Sequence, residues 1–264
     1  MKYSKLSVAF AGVLVASAAS LDAIAVPITF TGSGTGPGGV PVAASAIFDI
    51  VGNNLTVTLQ NTSPSNSGQD VPGSTLTGLF WNFTGNPLLT PVSATVGAGS
   101  SILGACDLVN CTGLTNVSGE FGYQAASFTG GADRGISSSG YLTSGLSGNI
   151  GNFNNGLAGT DLDKPASLDG INFGIISAAS GFNPNGGLSK DPLIQDTVVF
   201  VLTGVNGLSI TDISNVSFQY GTSLTELNVP GDPRDPPVLI PEPATLALLG
   251  LGLLGLGAAR RQKK

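Results

Sequence analysis

The sequence predicts an all-β fold, a single β-sandwich or jelly-roll-like domain. Three observations carry this. Apolar and polar residues alternate with a period of two in short runs bounded by Gly, Pro, Asn and Asp. Glycine is abundant, with 39 in 264 residues, and Ser, Thr and Asn are frequent. Charged residues are only 10%, against roughly 25% in ordinary globular proteins. The helix-face residues Glu and Lys are correspondingly scarce. Hydrophobic residues still reach 41%, enough for a core rather than a disordered chain. The length suits one large β domain.

The first element is a leader. "MKYSKLSVAFAGVLVASAASLDAIA" places Lys2 and Lys5 before an apolar run from Leu6 to about Ala19, then the small residues Ala23 and Ala25 around Ile24. Basic region, apolar region and A-x-A occur in the order that signal peptidase reads. Residues 1–25 are therefore expected to form a signal peptide helix cleaved after Ala25. A short buried helix is the bland alternative.

The body is expected to span 26–228. "ASAIFDIVGNNLTVTLQNTS" gives strands at about 44–51 and 54–60 around a turn at Gly52 and Asn53. Leu55, Val57 and Leu59 alternate with Thr56 and Thr58, the pattern of a half-buried strand. "STLTGLFWNF" (74–83) is the most aromatic strand and holds the single tryptophan, Trp81. "PVSATVG", "EFGYQAASF", "INFGIIS" and "DTVVFVLTG" read as further strands. Asn206-Gly207 is a type I′ hairpin signal. "ISNVSFQYGT" (213–222) reads as the last strand of the body. About eight to ten strands are expected in all. Residues 229–240, "VPGDPRDPPVLI", form a Pro-rich spacer unsuited to helix or central strand.

Charge and composition exclude several functions. Residues 26–240 hold four cations (Arg134, Lys164, Lys190, Arg234) against 14 carboxylates, a net of −10. That surface repels nucleic acid, which binds basic patches. There is no histidine, so His-based triads, His metal ligands and His general bases are absent. No G-x-S-x-G is present, and no pair of carboxylates is marked for glycoside hydrolysis. The chain is read as non-catalytic.

Three groups are candidates for a site. Cys106 and Cys111 are expected to form a local disulfide in an oxidising compartment. C-x4-C is not a redox motif, and two Cys without His do not make a metal centre. Asp161, Asp163 and Asp169, in "GTDLDKPASLDG", are either a solvated turn or an oxygen-rich calcium loop. Structural calcium is the one cofactor these residues would suit, although EF-hand spacing is absent. Trp81, on one face with Leu79 and Phe83, is either core packing or a surface for stacking sugars. Tyr123 and Tyr141 raise the same pair of readings.

The final element, residues 241–264, is the most specific. Pro241, Glu242 and Pro243 precede 16 uncharged residues from Ala244 to Ala259, followed by Arg260, Arg261, Lys263 and Lys264. As a helix, 16 residues span about 24 Å, short of the ~30 Å hydrocarbon core. The basic cluster holds the tip in the cytoplasm by the positive-inside rule. The prolines end the helix on the outer side and leave the backbone around Glu242 extended. "GLGLLG" (Gly250, Gly252, Gly255) lacks the strand and the acidic residue that a dinucleotide site requires.

"PEPATLALLGLGLLGLGAARR" resembles the sorting signal of PEP-CTERM proteins: a Pro-Glu-Pro motif, a short transmembrane helix and an Arg-rich end. The resemblance covers about the last 25 residues and implies a Gram-negative exporter and processing by an exosortase. It implies transient anchoring in the inner membrane, then surface attachment or release, often alongside exopolysaccharide. By position, Pro241, Glu242 and Pro243 would be the recognition motif, with Arg260 and Arg261 as the cytoplasmic stop. An ordinary membrane anchor is the alternative. More weakly, the succession of Phe48-Asp49, "LTVTLQN" and "LTGLFWNF" resembles the bodies of several exosortase-dependent proteins. The expected function is a non-catalytic surface or extracellular-matrix protein, with a carbohydrate-binding module as alternative. Signal peptidase and exosortase are the expected processing partners.

Overall fold

Alternation along the first strands decides which surfaces meet. A computed structural model describes residues 26–64, 70–139, 157–164 and 171–234. β1 (Ile28–Thr35), β2 (Pro41–Val51) and β3 (Asn54–Asn61) form an antiparallel meander, with Ile28 opposite Phe48 and Ile50 opposite Leu55. Val42, Ala44, Ala46 and Phe48 of β2 are buried, as are Leu55, Val57 and Leu59 of β3. Thr56 and Thr58 lie on the opposite, more accessible face. Gly52, at φ 61°, makes the β2–β3 turn where a side chain would be strained.

The chain continues through β4 (Leu76–Phe83), β5 (Thr90–Val96), β6 (Ser101–Leu103), β7 (Gly122–Ala125) and β8 (Arg134–Ser137). Then come β9 (Ile175–Ile176), β10 (Leu193–Gln195), β11 (Thr197–Thr203), β12 (Ile213–Tyr220), β13 (Asn228–Pro230) and β14 (Asp232–Arg234). One sheet has the order β14-β1-β2-β3-β11-β5. The other runs β13-β12-β4-β9-β10-β6, with β8 pairing both β4 and β7. The all-β sandwich is as expected.

The core fills the space between the sheets. Phe30 meets Phe48 edge-on at 5.7 Å, and Phe48 meets Trp81 at 5.6 Å. Phe121 packs on Phe200 at 5.0 Å. β4 is buried on both faces. Leu79, Trp81 and Phe83 point into the main core, while Phe80 joins Phe128, Ala132 and Leu224 in a second cluster. Gly135 opposes Phe80, and a Cβ there would lie 2.2 Å from the Phe80 ring, so this crossing of β4 and β8 requires glycine.

Five expectations change. Asn206-Gly207 does not close a hairpin: it lies between β11, in one sheet, and β12, in the other. The turn signal is local, whereas pairing is settled by which apolar faces meet. "EFGYQAASF" is a strand only at Gly122–Ala125, because Ser118–Glu120 forms a 3-10 turn. "INFGIIS" is a strand only at Ile175–Ile176, since Phe173 takes φ 57° and breaks the extended run. Fourteen strands are described rather than eight to ten, because several span only two or three residues. Residues 228–234 also join the sheets as β13 and β14. Both lie at sheet edges, where proline's missing N–H is tolerated.

Phe48→Ala should destabilise the body by about 3–5 kcal/mol, since it removes the ring that links Phe30 to Trp81 and leaves a cavity. Urea unfolding of the two proteins measures it. A loss below about 1 kcal/mol would show that Phe48 does not hold the sheets together.

Candidate functional site

Only some of the sequence candidates fall within the described residues. Trp81 is fully buried. It packs between Phe48 and Tyr123, whose ring centroid lies 6.4 Å away. The sugar-stacking reading of Trp81 is therefore corrected: β4 is a central strand, and its indole faces the other sheet. Tyr123 is buried as well. The indole Nε1 and the Tyr123 hydroxyl have no hydrogen-bond partner among the described residues. Tyr141 and Asp169 lie outside the described residues, as do Ala23, Ala25, Pro241, Glu242, Pro243 and the basic cluster Arg260, Arg261, Lys263 and Lys264.

Cys106 and Cys111 are joined in a disulfide, with Cα atoms 5.9 Å apart. The small loop it closes docks on the segment carrying the aspartates. The Asp107 amide donates to Asp163 Oδ1 at 2.5 Å, and the Leu108 amide to the Leu162 carbonyl at 3.2 Å. Asn172 Nδ2 donates to Asp163 Oδ2 at 3.0 Å. Both oxygens of the buried Asp163 carboxylate thus serve as acceptors that tie two loops together. Asp161 is half-buried beside it. No three His, Cys, Asp or Glu side chains are grouped to hold a metal ion among the described residues.

Glu120 is the member of this region that the sequence did not mark. It sits on the 3-10 turn Ser118–Glu120 and is buried. Its Oε1 accepts the Leu162 amide at 2.6 Å. Gly119 backs the contact, since a Cβ there would lie 2.2 Å from the Thr160 carbonyl. Burial pushes the Glu120 carboxyl up to about 7; the Leu162 amide opposes this, and the Asp161 and Asp163 charges add to it. Burial, then the Asp163 charge, also raises Asp161. Glu120 and Asp163 each accept a backbone amide from another segment and so buttress these loops.

Arg134 is the other unmarked residue. It is fully buried. Its Nε donates to Asp133 at 2.6 Å, Nη1 to the Pro87 carbonyl at 3.1 Å and Nη2 to Asn86 Oδ1 at 2.9 Å. Its guanidinium carbon lies 5.7 Å from the centre of the Phe83 ring. A buried arginine with these donors engaged braces the β4–β5 loop. A groove of about 520 Å³ runs beside β14, lined by residues including Thr31, Ser33, Thr62, Asp232 and Arg234. It offers one carboxylate and no aromatic ring.

Glu120 makes stability depend on pH. Its carboxyl titrates near 4.5 in the unfolded chain and about 7 in the folded one. Its stabilising protonation is complete below pH 4.5 and lost as pH rises through 7. Glu120→Gln should therefore gain on the parent between those pH values and hold a constant advantage above them. After discounting for partial solvent screening, the advantage is on the order of 1–2 kcal/mol. Urea unfolding across this pH range reads it, and a pH-independent difference would contradict it.

Residues 239–262 match the profile of the PEP-CTERM protein-sorting motif. No curated protein and no solved structure matches the chain. The motif marks a protein exported to the surface or beyond and processed by an exosortase. The chain is thus a β-sandwich protein that carries a PEP-CTERM sorting motif.

Proposed function

We propose that this is a non-catalytic component of the cell surface or extracellular matrix of a Gram-negative bacterium, working in association with exopolysaccharide. The observation that carries the reading is the sorting motif at 239–262. In this reading signal peptidase cleaves after Ala25. The run Ala244–Ala259 crosses the inner membrane transiently, and an exosortase recognises Pro241, Glu242 and Pro243.

The body supports a passive role. Among the described residues, the aromatic rings of Trp81, Tyr220, Phe48 and Phe200 are buried in the core and unavailable to a ligand. The groove beside β14 has a single carboxylate, whereas glycoside hydrolysis uses two. The carbohydrate-binding alternative loses its main support with Trp81 in the core. A hydrated, weakly charged surface rich in Ser, Thr and Asn suits polysaccharide surroundings. The reading invokes no cofactor.

Intact mass of the protein from surface and medium fractions tests it. The parent should lack residues 1–25 and the tail beyond the Pro-Glu-Pro motif, while Glu242→Ala should retain the tail. A parent protein still ending at Lys264 would make the tail a simple anchor.

A further inference from the structure

The two ends of the body leave from the same place. β14 pairs antiparallel with β1, with Thr29 opposite Arg234 and Thr31 opposite Asp232. Arg234 Nε also donates to Thr31 Oγ1 at 2.7 Å. The chain before Ile28 and the chain after Arg234 therefore emerge side by side. They emerge toward the end of the six-stranded sheet that carries the β2–β3 turn, where β11 ends and β5 begins.

Three large aliphatic side chains are exposed at that end, where Asp49 and Arg234 also lie. Val51 is 66% exposed, Leu88 87% and Val92 48%. Register brings them together. Val51 faces Asn54, which faces Thr203, which faces Thr90. Leu88 lies against Gly204, whose Cβ would come 2.5 Å from the Leu88 carbonyl. Val92 is the extra residue of the bulge in β5, between the pairs Leu202–Pro91 and Val201–Ser93. Arg134 braces the loop that presents Leu88 through Pro87 and Asn86. The connecting residues Gly52, Asn53, Gly204, Val205, Asn206 and Gly207 are uncharged. Asp212, in the same connection, is engaged by the Ser209 amide at 3.0 Å.

Chain length decides what this end meets. Nine residues, 235–243, separate Arg234 from the apolar run that begins at Ala244. Fully extended they reach about 30 Å. Four residues of β2, from the level of Ile47 to Val51, use about 13 Å of that. The headgroup layer takes roughly another 6 Å. About 10 Å of slack remains. Once Ala244–Ala259 is in a bilayer, the short tether keeps the end bearing Val51, Leu88 and Val92 within reach of the bilayer surface. We infer that this end is a lipid-facing surface, on which the unprocessed protein rests with its three aliphatic tips in the headgroup region. The inference rests on the proposal that the tail inserts.

The test uses the full chain, tail included, with mixed phosphatidylethanolamine/phosphatidylglycerol vesicles. Single cysteines at exposed positions (Val51→Cys, Leu88→Cys and, near the opposite end of β5, Leu114→Cys) carry an environment-sensitive fluorophore, with the native disulfide left intact. Flotation reports whether the tail inserts. Quenching by headgroup nitroxide lipids reports what the labels touch. The protein should float, with labels at 51 and 88 quenched and the label at 114 not. Failure to float overturns the inserted tail and this inference with it. Flotation with all three labels equally unquenched leaves the inserted tail standing and overturns the lipid-facing surface. Flotation with 51 and 88 shielded from aqueous iodide but untouched by lipid quenchers would assign the surface to a protein, a second copy or a processing enzyme, and also overturn it.

Discussion

Everything in this fold depends on β4 being buried on both sides. A strand in an open sandwich ordinarily shows one face to the core and one to water. β4 sends Leu79, Trp81 and Phe83 to the main core and Phe80 to a second cluster under the loops carrying Phe128 and Leu224. Those loops, 126–133 and 221–227, have few large apolar side chains of their own to bury. Phe80 supplies the apolar partner, tilted against Phe128 at 4.7 Å. Gly135 permits the approach by having no side chain to collide with Phe80. The only tryptophan and the most aromatic strand are thus committed to architecture.

The few charges follow the same logic. With four cations in the body, ordinary surface ion pairs are scarce, and individual ones contribute little. The chain instead places Arg134 in the interior, where an arginine is tolerated only with its donors engaged. It places Glu120 and Asp163 where backbone amides meet them. These residues hold loops that no continuous strand pairing would hold: the β4–β5 loop, the disulfide loop and the segment 160–163. Polar anchoring of loops by backbone contacts is economical in a chain with so much Ser, Asn and Gly, because those residues offer turns without offering a core.

Legibility in the sequence followed this division. β2 and β3 could be read closely, because strict alternation in "LTVTLQN" and a Gly-Asn turn agree with the tertiary pairing. β11 could be read from its continuous, β-branched apolar run Val198–Leu202. β7 and β9 were overextended because composition alone does not reveal a 3-10 turn at Ser118 or a left-handed Phe173. Asn206-Gly207 looked like a hairpin because its turn chemistry is real, while its flanking strands belong to different sheets. Arg134 and Glu120 carried no signal: an isolated charge is exposed in most proteins, and only the packing around it says otherwise. The sorting tail was the reverse case. It is linear, its parts occur in order, and it needs no tertiary context to be recognised.

The joining of β13 and β14 to the body gives the two kinds of information a common boundary. β13 belongs to the sheet of β4 and β14 to the sheet of β1, and Gly231 between them donates to the Val216 carbonyl at 2.8 Å. The last folded residues therefore tie the two sheets to each other before the chain departs. Among the described residues, the main core draws on Phe30 of β1 and Val229 of β13. A body whose first and last strands pair with each other, and whose last two strands reach both sheets, presents both of its departing chain ends at one place.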